Sequence, residues 1–283
     1  MPPPYAHISE MMKKGEVVYV LGAGASVCGR AEQWQGPDSP DLPTGSELAR
    51  YLKRQFGLKG ARDLAAVSSL VDRAALENYL RPIFSKTYAP TCLHKLIASM
   101  PGNQLVITTN YDSMIEAAFD ELGKGYTLIA YSGTSRTWER GKSLWVRPPG
   151  AAPCRASPDE VVVNLDESSF VFKLHGSAEA GYVISEEDYF ELLADMGRGM
   201  VFPAGLIRYL HKRHFLFLGY RLEDWSLRIL MRVMRPPKRL HGLAQCESWQ
   251  FAGSLPRWHS KLWERRGVTT YRARLEDFAA KVK

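Results

Sequence analysis

Four short stretches hold residue types suited to binding or transforming a polar small molecule: Gly22-Ala23-Gly24-Ala25-Ser26, Thr108-Thr109-Asn110-Tyr111-Asp112, Lys173-Leu174-His175-Gly176-Ser177 and Leu218-Gly219-Tyr220. Gly22 and Gly24 carry no side chains, so the backbone there can turn sharply and bring its NH groups up to a phosphate. The third glycine of a dinucleotide fingerprint falls at position 27, which is Val27, so an ordinary tight turn is an equal reading of the pair. Asn110 and Asp112 supply an amide and a carboxylate, and both types also cap helices and stabilise turns. An imidazole such as that of His175 can move protons near neutral pH, although buried structural histidines are common as well.

What places these residues is the element before each of them. Residues 17–21, 104–109, 170–174 and 214–218 are short apolar, β-branched and aromatic runs of the kind found in buried strands, and each runs into one of the four stretches. Helices are expected between them. Thr44-Gly45-Ser46-Glu47 has the form of a capping box, followed by Leu48, Leu52 and Phe56 at helical spacing. Residues 61–84 read as mainly helical until Pro82 disturbs them, and Met114, Ile115, Ala118 and Phe119 mark a helix after Asp112. Ser185 followed by Glu186, Glu187 and Asp188 resembles a helix start, residues 222–234 a helix stopped by Pro236-Pro237, and residues 268–271 and 275–282 a closing strand and helix. Residues 132–160, rich in Gly, Pro, Ser and Arg, read as a long loop, with a short strand at 161–165.

Strands alternating with helices predict an α/β fold: a doubly wound, mostly parallel, Rossmann-like sheet with additional helices, and with ligands bound beyond the carboxyl ends of the strands. One domain over residues 1–283 is expected, with a helical segment at about 44–100. Of the 283 residues, 45% are hydrophobic, enough for a substantial core. No apolar run reaches the length of a membrane span and no secretory signal is evident, which leads to the expectation of a soluble, cytoplasmic protein. Cys28, Cys92, Cys154 and Cys246 lie far apart with no CxxC pair, an argument for reduced structural thiols and against a disulfide framework or locally held zinc. The net charge is +7, and residues 225–246 contain no acid while Arg228, Arg232, Arg235, Lys238 and Arg239 accumulate. Such a segment is either a solvated helix end or a surface for nucleic acid or a protein partner.

Taken together and in order, GAGAS at 22–26, TTNYD at 108–112, KLHGS at 173–177 and FLGYRLED at 217–224 resemble successive motifs of the sirtuin-like NAD-binding superfamily, and LPTGSEL at 42–48 is similar to the segment that follows its glycine loop. The likeness covers about residues 16–230. Sirtuin deacylases carry a zinc module with two cysteine pairs, which this sequence lacks, so the resemblance is nearer to prokaryotic sirtuin-like NAD hydrolases of antiviral defence. It implies NAD as substrate, nicotinamide and ADP-ribose as products, and no metal. Asn110 and His175 would form the catalytic pair, with Asp112 as a further substrate contact. Gly22, Ala23, Gly24 and Ser26 would seat the pyrophosphate, Thr109 and Tyr220 would adjoin the dinucleotide, and Gly219 would line its adenosine side. It also implies activation by homo-oligomerisation or by a separate protein of the DNA-translocating ATPase or Argonaute type. Competing readings are a module that binds NAD or ADP-ribose without cleaving it, and a nucleic-acid-associated subunit.

Overall fold

The computed structural model describes residues 2–61, 63–133, 141–220, 231, 246–253, 257–265 and 267–282. Its strands in chain order are β1 (Val17–Leu21), β2 (Leu105–Thr108), β3 (Tyr126–Tyr131), β4 (Leu144–Arg147), β5 (Cys154–Ala156), β6 (Ser169–Lys173), β7 (Gly176–Ser177), β8 (Gly181–Tyr182), β9 (His214–Leu218), β10 (Ser248–Ala252) and β11 (Thr269–Arg272). Nine of them form one sheet in the order β11-β10-β9-β1-β2-β6-β3-β4-β5, and β7 pairs with β8 in a small separate ribbon. Every pairing from β11 across to β3 is parallel; β4 and β5 add an antiparallel edge. The expected doubly wound, mostly parallel α/β fold is therefore what the chain adopts.

The central strands are buried on both faces, and alternate residues feed two cores. Val18, Val20, Ile107, Phe172 and Phe217 point to one side, where helices α8 (Glu186–Gly197), α9 (Ala204–Leu210) and α10 (Arg257–Glu264) contribute Leu192, Leu206, Leu210 and Trp263. Val17, Tyr19, Leu21, Val106, Val171 and Leu216 point to the other. They pack against Ile8 and Met12 of α1 (Tyr5–Lys13), Ile97 of α6 (Cys92–Ser99), Ile115 and Phe119 of α7 (Met114–Glu121) and Phe278 of the last helix, α11 (Leu275–Lys281).

After the short α2 (Ala23–Ser26), the chain leaves the sheet to build a helical layer. It consists of α3 (Gly45–Gln55), α4 (Leu64–Ser69) and α5 (Arg73–Phe84), with a core of its own around Trp34, Leu42, Leu52, Val67, Leu80 and Ile83. The capping box expected at Thr44 is present: Thr44 Oγ1 accepts from the Glu47 amide, and Glu47 Oε2 accepts from the Thr44 amide. The same device at Ser185 and Asp188 opens α8.

Several details differ from expectation. β4 and β5 lie within residues 132–160, where a loop was expected; they are short edge strands, and the Gly and Pro residues around them hide their pattern. Residues 161–165 form no strand, although Val163 and Leu165 are buried. There the Asn164 side chain accepts from the Asp166 amide and donates to Glu167, so local turn bonds replace a ladder. Helix α5 continues past Pro82 to Phe84: proline forgoes the bond its amide would make to the Asn78 carbonyl, and burial of Leu80, Ile83 and Phe84 in the core of the helical layer holds the last turn. The expected helix at 222–234 falls, apart from Met231, outside the described residues, as do all five basic residues of the 228–239 segment.

Candidate functional site

Strands β9, β1, β2 and β6 are adjacent and parallel, so their carboxyl ends share one edge of the sheet. Gly219, Gly22, Asn110 and His175 follow those four ends, and the expectation that separate strands would present them along one edge holds. From β1 the sheet grows through β2 and β6 on one side and through β9 on the other, so the order reverses at β1, the place where open α/β sheets bind ligands.

A cavity of about 150 Å³ opens at this edge. Its polar wall comprises Ser26, Thr109, Asn110, Asp112 and His175, and Leu42, Pro43, Leu48, Leu64 and Phe84 of the helical layer form much of its apolar wall. Ala23, Thr44, Gly45, Tyr111 and Tyr189 complete the lining. A void of roughly this volume holds one benzene-sized ring.

Asn110 is held by its amide nitrogen. Nδ2 donates to Gly22 O at 3.0 Å and to Ser26 Oγ at 2.8 Å, which uses both of its hydrogens. The side-chain polar atom outside these two bonds is Oδ1, an acceptor. Ser26 Oγ in turn donates to Asp112 Oδ2 at 2.8 Å, while Asp112 Oδ1 accepts from the Met114 amide at 3.1 Å. Asp112 thus satisfies the first amide of α7 through an Asx turn and also orients Ser26, and through it Asn110. Each of its carboxylate oxygens accepts one bond within the protein, which gives it a positioning role and leaves each oxygen capacity for a further donor.

Beneath Asp112 the wholly buried Lys173 pairs with Glu116 Oε1 at 2.7 Å and donates to the Asp112 carbonyl, fastening β6 to α7. Burial pushes the Glu116 carboxyl up, with Lys173 opposing. His94 is buried nearby, and burial pushes its imidazole down to about 4 against the pull of Asp112. His175 is 3% exposed; its ring meets the edge of Tyr189 with centroids 5.2 Å apart. Its carbonyl accepts from the Val183 amide at 2.9 Å. Gly176 follows at φ +78°, where a Cβ would fall 1.9 Å from Gly181 O, so only glycine lets the chain turn away directly behind the imidazole.

In the glycine loop the structure supports the tight-turn reading of Gly22 and Gly24. The Gly22 amide donates to Leu218 O and the Gly24 amide to Gly219 O, so neither is directed at a ligand. Gly219 adopts φ +75°; a Cβ on it would lie 2.2 Å from the Ala25 amide nitrogen, and one on Gly24 would lie 2.7 Å from Gly219 Cα. These glycines allow two backbone segments to touch, which closes the gap between β1 and β9 and leaves Ala23 and Ser26 at the cavity. Tyr220 stands behind, its hydroxyl donating to Thr109 Oγ1 at 2.9 Å. Of the expected dinucleotide contacts, Ala23, Ser26 and Thr109 line the cavity, whereas Gly22, Gly24, Gly219 and Tyr220 support that wall.

The wall formed by residues 42–48 had a sequence signal in LPTGSEL; the structure adds how it is held. Burial works against the charge of Glu47, yet hydrogen bonds from the Arg30 guanidinium, Thr44 and the Trp34 amide bring its carboxyl down to about 2. Tyr189, Phe84 and Leu64 had no signal, since an aromatic or aliphatic residue on an amphipathic helix reads as core. Among the described residues, no group of three or more His, Cys, Asp or Glu is arranged to hold a metal ion, and no helix is long and apolar enough to cross a membrane.

A model of the SIR2-like domain matches residues 104–265, more than half of the chain. The chain belongs to the SIR2-like family. The match takes in the Asn110 and His175 strand ends, while the glycine loop and the 42–48 wall precede it. Defense-associated sirtuin 2 of Bacillus subtilis is 24% identical over 246 residues, which cover 81% of this chain and 20% of that protein. This SIR2-like chain therefore spans about a fifth of the length of the curated relative it matches.

Proposed function

We propose that this protein hydrolyses NAD to nicotinamide and ADP-ribose. The observation that carries the reading is that Asn110 and His175, 65 residues apart in the chain, line one ring-sized cavity at the switch point of the sheet. Membership of the SIR2-like family supports the dinucleotide as substrate.

The bond to be broken joins a cationic pyridinium to the ribose. As it lengthens, nicotinamide leaves neutral and positive charge grows on the ribose carbon, so the site must orient that bond and admit one water. The apolar wall of Leu42, Pro43, Leu48, Leu64 and Phe84 receives the departing ring. Asn110, with its nitrogen occupied, presents Oδ1 to a ribose hydroxyl or to the attacking water. His175 takes the proton of that hydroxyl or water as general base. The defence-associated relative supports a defence role; activation by a partner or by oligomerisation belongs to the same proposal.

The deciding experiment is a mass balance of NAD, nicotinamide and ADP-ribose, with the full chain alone and with candidate partners added. Asn110→Ala and His175→Ala are each expected to lower turnover by roughly 10²-fold or more while leaving the melting temperature near that of the parent. Turnover unchanged in either variant would overturn the assignment. Calorimetric binding of NAD with an intact NAD pool, partners included, would instead make the protein a sensor.

A further inference from the structure

Cys28 and Cys92 are separated by 64 positions, yet their sulfur atoms lie 3.6 Å apart. The helical excursion that supplies Leu42, Pro43, Leu48, Leu64 and Phe84 to the cavity runs between them, so the two thiols mark its neck. The backbone is already fastened on both sides of the pair. Thr91 Oγ1 donates to Ala25 O at 3.1 Å, and the Gly29 amide donates to Glu276 Oε1 of α11 at 2.6 Å. A disulfide needs its sulfurs about 2.05 Å apart, so closure brings the two sulfur atoms together by about 1.5 Å.

We propose that Cys28 and Cys92 are a modification site: a dithiol that closes reversibly to a disulfide, pinning the helical layer to the glycine loop at the neck of the excursion. Cys92 is exposed and Cys28 half-buried, which sets the order of events. The Cys92 thiolate attacks a small disulfide such as oxidised glutathione, whose S–S bond breaks and releases one glutathione thiolate. Cys28 gives up its proton to solvent and attacks the Cys92 sulfur of the mixed disulfide, releasing the second glutathione. Two electrons pass from the protein to the reagent, and the two protons lost end on two glutathione thiols. Burial, and then the neighbouring Cys92 sulfur, push the Cys28 thiol up, consistent with Cys28 reacting second. Because Ser26 is two residues before Cys28 and holds both Asn110 and Asp112, the crosslink lies one short step of chain from the candidate site.

The test uses the folded full chain in oxidised and reduced glutathione at fixed ratios, followed by acid quench, alkylation and peptide mapping by mass spectrometry. The expected product is a Cys28–Cys92 linked peptide that dithiothreitol reverses, while Cys154, exposed on edge strand β5, takes up a separate glutathione. In Cys28→Ser, Cys92 is expected to stop at the mixed disulfide. Separate glutathione adducts on Cys28 and Cys92, or two free thiols under conditions that modify Cys154, would overturn the proposal. No NAD is consumed in this measurement, so its outcome is independent of the hydrolase reading.

Discussion

Ser26 is the residue on which the polar side of the cavity turns. It accepts from Asn110 and donates to Asp112, so a single hydroxyl fixes the orientation of the amide proposed to meet the substrate. Ser26→Ala removes that link and leaves the second Asn110 bond, to Gly22 O, in place. A partly released amide should lower kcat roughly tenfold or more through lost orientation, with little change in melting temperature; steady-state NAD turnover beside a thermal melt checks this. By type alone Asn110 reads equally as a cap and His175 as a structural histidine; it is the order of the motifs, through their resemblance to a family, that makes the two a candidate pair. For Gly22, Gly24 and Asp112 the sequence left a turn or cap beside a ligand contact, because the choice depends on what faces each of them across the chain.

At the scale of elements, β6 and α7 are joined by a buried charge pair. Lys173 and Glu116 are 1% and 4% exposed at their side chains, so removing one partner strands the other in a medium that disfavours its charge. Lys173→Met is expected to cost about 3 kcal/mol or more in urea unfolding, and Lys173→Met with Glu116→Leu to return to within about 1 kcal/mol of the parent. Failure of the double variant to recover would mean that the lysine's bond to the Asp112 carbonyl is the larger contribution. The strands under the motifs could be anticipated because continuous apolar runs of five or so residues have few other uses. β3 went unrecognised since its first two residues are only half-buried, and β10 since its run contains Gln250, which is wholly buried and donates to the Tyr220 carbonyl. A polar residue inside a strand looks like a break until its partner is known.

For the whole molecule, acid should loosen the fold before the carboxylates alone would. The folded chain keeps His94 neutral down to about pH 4, while the unfolded chain protonates it near the ordinary value of 6.5. Between those values the unfolded state binds the extra proton, so stability is full above pH 6.5 and is lost as pH falls toward 4, by about 3 kcal/mol in all. Urea unfolding at pH 7, 5.5 and 4 should show this decline. His94→Gln keeps a hydrogen-bond acceptor and cannot be charged, so it should flatten that part of the curve. The same slope in both proteins would place the acid sensitivity elsewhere.

Local pattern alone determined that this chain alternates buried strands with amphipathic helices and that its glycines, Asn110 and His175 stand at strand ends, because burial of apolar periodicity and sharp exits from strands are properties of neighbours in the chain. Only the tertiary structure decided that β9, β1, β2 and β6 lie side by side, that Gly24 touches Gly219, that the helical layer closes the cavity, and that Cys28 meets Cys92. Those are contacts between segments dozens to almost two hundred positions apart, set by how the layers pack, and spacing along the chain does not encode them.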